Sequence, residues 1–292
     1  MEEKVGTYRL TAEPFHVDFT GRITLGVLGN QMLNCAGQHA TRRGFGMRQL
    51  LAEGYTWVLS RLAMEMDDLP RQYEEYTVQT WIESVSRLFT MRCFAVLDAN
   101  GRPIGYTRSI WAMIDRQTRR PADLFSLRSG HIADYACPQP CPIQKPGHLR
   151  AVDTEAVDEL RVRYSDIDTN GHVNSMRYLD HVLDLFPLDH YRHWRVSRLE
   201  IAYMAESHFG DRLTLHVDEH PALALSSRAE AADAAVCPPP TAAPAVASNA
   251  TANATQAAQA AQVATVEIRR QGLEPVCRCR LTFAGPTSEQ TT

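Results

Sequence analysis

Nowhere does this chain string together the ~20 apolar residues that a membrane helix requires. Its first ten residues, MEEKVGTYRL, hold neither an apolar run nor a cationic lead. Both absences predict a soluble protein of the cytoplasm with no membrane span. Excess positive charge is missing too: the formal net charge is -4, so no basic field gathers nucleic acid or an anionic surface. The pairs Arg42 with Arg43, Arg119 with Arg120, and Arg192 with Arg195 read as solvated surface pairs. No GxSxG occurs, which argues against a serine hydrolase built on a nucleophile elbow. The seven cysteines are an odd number for a secreted disulfide framework, and Cys35 and Cys93 sit in apolar patterns as small core residues. Cys137 and Cys141, in CPQPC, lack a recognised ligand spacing with His131 and His148, so a proline-rich linker and no metal are expected.

What the chain does contain is core-forming material. Its 292 residues are 44% hydrophobic, enough for one large or two ordinary globular domains. Alternation of apolar and polar residues predicts strands over 8–19, 56–66, 75–84, 90–97 and 104–114, with a turn at Asn100-Gly101. Helical spacing predicts helices over 25–41, with Leu28, Met32, Cys35 and Ala36 on one stripe, and over 47–53.

One stretch concentrates chemistry: residues 166–184, DIDTNGHVNSMRYLDHVLD. Alternating Leu160, Val162 and Tyr164 predict a strand before it. Val173, Met176, Leu179, Val182, Leu183 and Phe186 form the apolar stripe of a helix after it, capped by Asn174 or Ser175. Asp168, Asn170 and His172 are two apart and share a face if the backbone stays extended. They precede a helix start whose free amides favour developing negative charge. The letters DxDxNG also open a calcium loop, but its twelfth position, which needs a bidentate Glu, is Arg177. A structural turn, with Asp and Asn satisfying backbone groups, is the competing reading.

The two halves of the chain repeat one pattern. A shift of 145 lays Val17 on Val162, Gly26 on Gly171 and Leu28 on Val173; a shift of 137 lays WVLSRL at Trp57 on WRVSRL at Trp194; a shift of 171 lays Gly101 on Gly272 and Ile110 on Leu281. Under the first shift Asp168, Asn170 and His172 fall on Ile23, Leu25 and Val27, so the turn itself does not demand the polar trio and one chemical site per chain is expected. The last two shifts differ by 34 residues, which lie in an Ala-rich stretch of about 221–262 with too few large apolar side chains to fix a position. The expected division is an N-terminal unit over 1–120, a linker over 121–156, a C-terminal unit over 157–285 that carries the insertion, and a tail over 286–292.

Strand, central helix and antiparallel sheet, present twice, resemble a double hotdog: an α+β fold of two tandem units, each a curled sheet wrapped around a helix. DxNxHVN at Asp168 to Asn174 with YLDHVLD after it, WVLSR at Trp57, the Thr80-Trp81 pair and DRQTRRP at Asp115 together resemble the bacterial acyl-acyl carrier protein thioesterases, over residues 8–283 outside the insertion. That resemblance implies hydrolysis of the thioester joining a fatty acyl chain to the carrier's phosphopantetheine, with no cofactor. It places catalytic residues at Asp168, Asn170, His172 and Glu206. Plant members usually carry Cys directly after that acid; Ser207 stands here, which favours water activated by a carboxylate. They also carry a transit peptide, which this N-terminus lacks, so a bacterial cytoplasm is implied.

Either Asp168 or Glu206 would be the base, with His172 orienting water or shuttling the proton, a contribution of ~100 to 10,000-fold. Asn170 and the amide near Val173 would hold the thioester oxygen. The acyl tail would lie against Leu28, Met32, Trp57, Met64, Trp81 and Phe89 of the first unit. The partner is acyl carrier protein, and the chain acts as monomer or homodimer. An acyl-coenzyme A thioesterase and a non-catalytic acyl-binding protein are the alternatives.

Overall fold

The computed structural model describes residues 4–129, 131–137, 139–220 and 262–285. The expected insertion, apart from Gln262, and the tail lie outside the described residues. In chain order the elements are β1 (Gly6–Thr11), α1 (Leu25–Arg42), α2 (Met47–Ala52), β2 (Tyr55–Met66), β3 (Glu75–Val85), β4 (Phe89–Leu97) and β5 (Pro103–Asp115). Then come β6 (Ala156–Arg161), α3 (Ser175–Leu183), α4 (Leu188–His193), β7 (Arg195–Tyr203), β8 (Arg212–His220), β9 (Gln262–Arg270) and β10 (Glu274–Ala284). Most expected boundaries hold to a residue or two. The expected strand over 8–19 does not: β1 ends at Thr11, and a short 3-10 turn at Pro14–His16 follows, where the Glu13 amide donates to His16 Nδ1 at 3.1 Å. Likewise β6 stops at Arg161, because the buried Asp166 carboxylate accepts the Arg163 amide at 2.7 Å and bends the chain.

Ten strands form one large antiparallel sheet in the order β1-β3-β4-β5-β2-β7-β10-β9-β8-β6. Counted within its own half, the first set reads 1-3-4-5-2 and the second 2-5-4-3-1, the same order met from the opposite edge. β2 and β7 meet in the middle, where Arg61, Ala63 and Glu65 pair with Ala202, Glu200 and Arg198. Ser60 and Ser197 are both skipped by their ladders, which supports the shift of 137 read from the sequence.

The other two shifts need correction. Asp18 and Asp168 occupy the same place in matching turns. The Gly21 and Gly171 amides donate to the Asp18 and Asp168 carbonyls at 2.9 and 3.1 Å. The Thr20 and Asn170 amides each donate to the aspartate Oδ1 at 2.8 Å. Both glycines have positive φ, 73° and 83°, the region that a Cβ disfavours. The turns are therefore 150 residues apart, not 145. At the far end Val96 pairs with Gly105 and Ile268 with Cys277, each beside a bulge, a shift of 172. The expected pairing of Ile110 with Leu281 is one residue out, and a one-residue slip moves a side chain to the opposite face of a sheet.

Helix α1 and the shorter α3 lie against each other. They approach closely because α1 presents Gly26 and Gly29, where an added Cβ would run into the Asp180 carboxylate and the Met176 side chain. Met32 of α1, Met176 and Leu179 of α3, Phe94 of β4 and Val266 of β9 belong to one continuous core. The segment expected to be a proline-rich linker is held to the sheet: Arg108 donates to the Cys141 carbonyl at 3.1 Å and Arg278 to the Leu149 carbonyl at 3.2 Å.

Candidate active site

The turn that carries His172 is closed by Asp168. Its Oδ1 accepts the amides of Asn170 at 2.8 Å and His172 at 3.3 Å, its own amide donates to the His172 carbonyl at 2.8 Å, and its Oδ2 accepts Asn170 Nδ2 at 3.3 Å. Asp168, Asn170 and His172 therefore do not lie along one extended face; the backbone folds into a turn and Asp168 faces back into it. Beyond the turn Asn174 caps α3, its Oδ1 accepting the Met176 amide at 2.8 Å.

Facing it is the loop after β7. The Val173 amide donates to the Ser207 carbonyl at 2.9 Å, and His172 bridges His208 across the two segments. The Val173 amide is thus spent on backbone pairing and is not the oxyanion donor the sequence suggested. Asp211 accepts the His208 amide at 2.8 Å, and Arg270 donates to the Glu206 carbonyl at 3.0 Å. With its backbone held at both ends, Glu206 sets one carboxylate oxygen 3.5 Å from His172 Nε2. Arg119, from the turn after β5 in the other half of the chain, pairs with the second oxygen. The His208 ring stands edge-on to His172, centroids 5.0 Å apart. Behind the helix start, Tyr203 donates to the Ser175 carbonyl at 3.0 Å, and burial holds its hydroxyl well above the usual tyrosine range, as a neutral donor.

The structure thus brings His172 and Glu206 together and gives Asp168 a place within the turn, its carboxylate hydrogen-bonded to Asn170 and His172. Arg119, His208 and Arg270 were missed from sequence. In the sequence Arg119 presents as half of a solvated pair, although it lies inside DRQTRRP, and His208 stands two residues from Glu206. In the first half the matching bridge is Arg22 with Arg71, and the place of Glu206 is taken by Leu69. The asymmetry between the halves therefore lies in His172, Glu206 and His208, against Arg22, Leu69 and Arg71. Asp168 has its counterpart in Asp18. His172, Glu206 and His208 also bring ligand atoms within 4.8 Å of one another and could hold a divalent ion, for which Arg119 competes at Glu206.

The six residues expected to line an acyl slot do not form one group. Leu28, Met32 and Met64 are buried together in the main core. Trp57 packs in a second cluster, its Nε1 donating to the Phe45 carbonyl at 2.9 Å. Trp81 lies in a third cluster with Cys93 and Cys141 and donates to the Gln139 carbonyl at 2.9 Å. Phe89 is 44% exposed. The separation of Trp81 has a simple cause: its cluster holds no residue of α1, whereas the next residue, Ile82, packs with Ala40 of α1, because neighbouring residues in a strand face opposite ways.

A broad antiparallel sheet with few helices is the architecture of a group of solved thioesterases. A 12:0-ACP thioesterase from Umbellularia californica shares the fold with a TM-score of 0.74 at 17% identity, over 97% of this chain and 95% of that one. An acyl-ACP thioesterase from Bacteroides thetaiotaomicron is 48% identical, with a TM-score of 0.78 over 96% of this chain and 98% of that one. The chloroplastic palmitoyl-acyl carrier protein thioesterase of Arabidopsis thaliana is 25% identical over 170 residues, 56% of this chain but only 41% of the plant protein.

Residues 7–126 match the acyl-ACP thioesterase N-terminal domain and residues 149–236 the C-terminal domain. The chain belongs to the acyl-ACP thioesterase family, whose members are thioester hydrolases.

Proposed function

We propose that this chain hydrolyses the thioester between a fatty acyl group and the phosphopantetheine of acyl carrier protein, releasing free fatty acid. The observation that carries the reading is the His172–Glu206 pair, 3.5 Å apart, present in one half of the chain and replaced by Arg22 and Leu69 in the other. Glu206 accepts a proton from water as the hydroxyl oxygen adds to the thioester carbon. Glu206 hands that proton to His172, the tetrahedral intermediate collapses, the C–S bond breaks, and His172 gives the proton to the departing sulfur. Asn170, which spends one amide hydrogen on Asp168, has a second for the thioester oxygen. A positioned acid–base pair of this kind contributes ~100 to 10,000-fold.

The repeated strand order supports two tandem hotdog units, 1–120 around α1 and 157–285 around α3, joined by 121–156. Leu28, Met32 and Met64 then line the acyl slot of the first unit. Incubating the protein with carrier-bound acyl chains of graded length and measuring free fatty acid tests the reading. Turnover of acyl-coenzyme A with none of any carrier-bound chain would move the assignment to the coenzyme A alternative.

A further inference from the structure

Arg119 reaches the site from the opposite half of the chain, and three independent features of its turn point the same way. Its φ is +58°, a left-handed backbone that arginine adopts only when its surroundings impose it. The turn is built around Asp115, whose carboxylate accepts the amides of Gln117 at 3.0 Å and Thr118 at 2.7 Å, while its carbonyl accepts the Arg119 amide at 2.9 Å. Those bonds to Thr118 and Gln117 hold the Asp115 carboxyl below its usual range. The guanidinium then lands on the Glu206 oxygen that does not face His172. Arg116, Arg119 and Arg120 of this turn are all exposed, and Arg119 is the one whose guanidinium pairs with the Glu206 carboxylate.

We propose that Arg119 is a positioning residue for hydrolysis, which completes the site across the two halves by fixing the rotamer of Glu206 so that its free oxygen faces His172. This rests on the assignment of Glu206 as the base. An unheld Glu side chain has three rotatable bonds, and a base displaced by about 1 Å loses on the order of 100-fold in rate. The planar fork of an arginine restrains a carboxylate in a way that a lysine point charge reproduces only in part.

The test compares wild type with R119A, R119K, E206Q and R119A/E206Q. R119A is expected to lower kcat roughly 10- to 100-fold with KM changed less than about threefold. R119K should recover part of that loss, and added guanidinium should rescue R119A but not E206Q. The double variant should be little worse than E206Q, because both changes remove one function. Turnover of R119A within threefold of wild type, a loss confined to KM, or losses that multiply in the double variant would each overturn the proposal. Wild-type turnover of the acyl-loaded carrier protein separates this failure from failure of the functional reading. A second readout needs no turnover: the imidazole NMR signal of His172 should move in R119A toward its position in E206Q, and an unmoved signal would also overturn it.

Discussion

His39, on the buried face of α1, is fully enclosed and satisfied at both ring nitrogens. Nε2 lies 3.1 Å from the Lys4 carbonyl and Nδ1 3.2 Å from Arg92 Nη1, which also donates to Thr80 Oγ1 at 3.2 Å. A carbonyl can only accept and a guanidinium can only donate, so the ring is neutral, with its proton on Nε2. Burial above all, then the cations Arg92, Arg43 and Arg42, push its pKa down from 6.5 to about 3. The sign follows directly: below pH 6.5 the unfolded chain takes up a proton at His39 that the native chain refuses until about pH 3, so stability falls as pH falls. At about 1.4 kcal/mol per pH unit, lowering the pH from 7.5 to 4.5 costs about 2.7 kcal/mol from this residue. His39→Gln isolates the effect, because a glutamine amide can donate to the Lys4 carbonyl and accept from Arg92 without titrating. Urea unfolding at pH 4.5, 5.5, 6.5 and 7.5 should show the variant losing about 2.7 kcal/mol less than wild type across that range. Parallel stability curves for the two proteins would refute the reasoning.

Three further outcomes are expected. Asp168→Ala should lower both melting temperature and turnover, since its carboxylate closes a turn, whereas Glu206→Gln should lower turnover and leave melting within a degree or two; equal melting temperatures for both variants would contradict the separation of roles. Asn174→Ala removes the side-chain cap of α3 and should cost about 1 kcal/mol in chemical denaturation, with no loss meaning that Ser175 or water replaces it. Glu267, almost fully buried, accepts Arg269 and Arg278 at 2.6 Å each; burial alone would raise its carboxyl, but the two arginines outweigh it and hold it low. Glu267→Gln leaves both guanidinium groups without their anion and should destabilise by about 3 kcal/mol, read as a shift in the urea midpoint.

Much of the architecture was legible because it rests on local periodicity. Strands from alternation, α1 from its apolar stripe, and the pairing of Trp57 with Trp194 all follow from side chains meeting the same faces in both halves. At the edge of the expected Ala-rich insertion of about 221–262, Gln262 belongs to β9 and pairs with Phe283. The turn register was misjudged. A shift of 145 matched apolar letters, whereas the hydrogen bonds of Asp18 and Asp168 obey a shift of 150. Turn geometry is set by which aspartate can reach which amide, and an apolar match carries no information about that.

What the amino-acid order determined alone was the family, the sheet-forming segments and the presence of His172 and Glu206 beside loops. Tertiary structure decided which of these groups meet. It spent Asp168 on a turn and the Val173 amide on Ser207, divided Leu28 from Trp81 and Phe89, and carried Arg119 to Glu206 across 87 residues of chain. Local preference acts over a few neighbours, while an ion pair between distant turns exists only once a shared sheet has fixed where both of them stand.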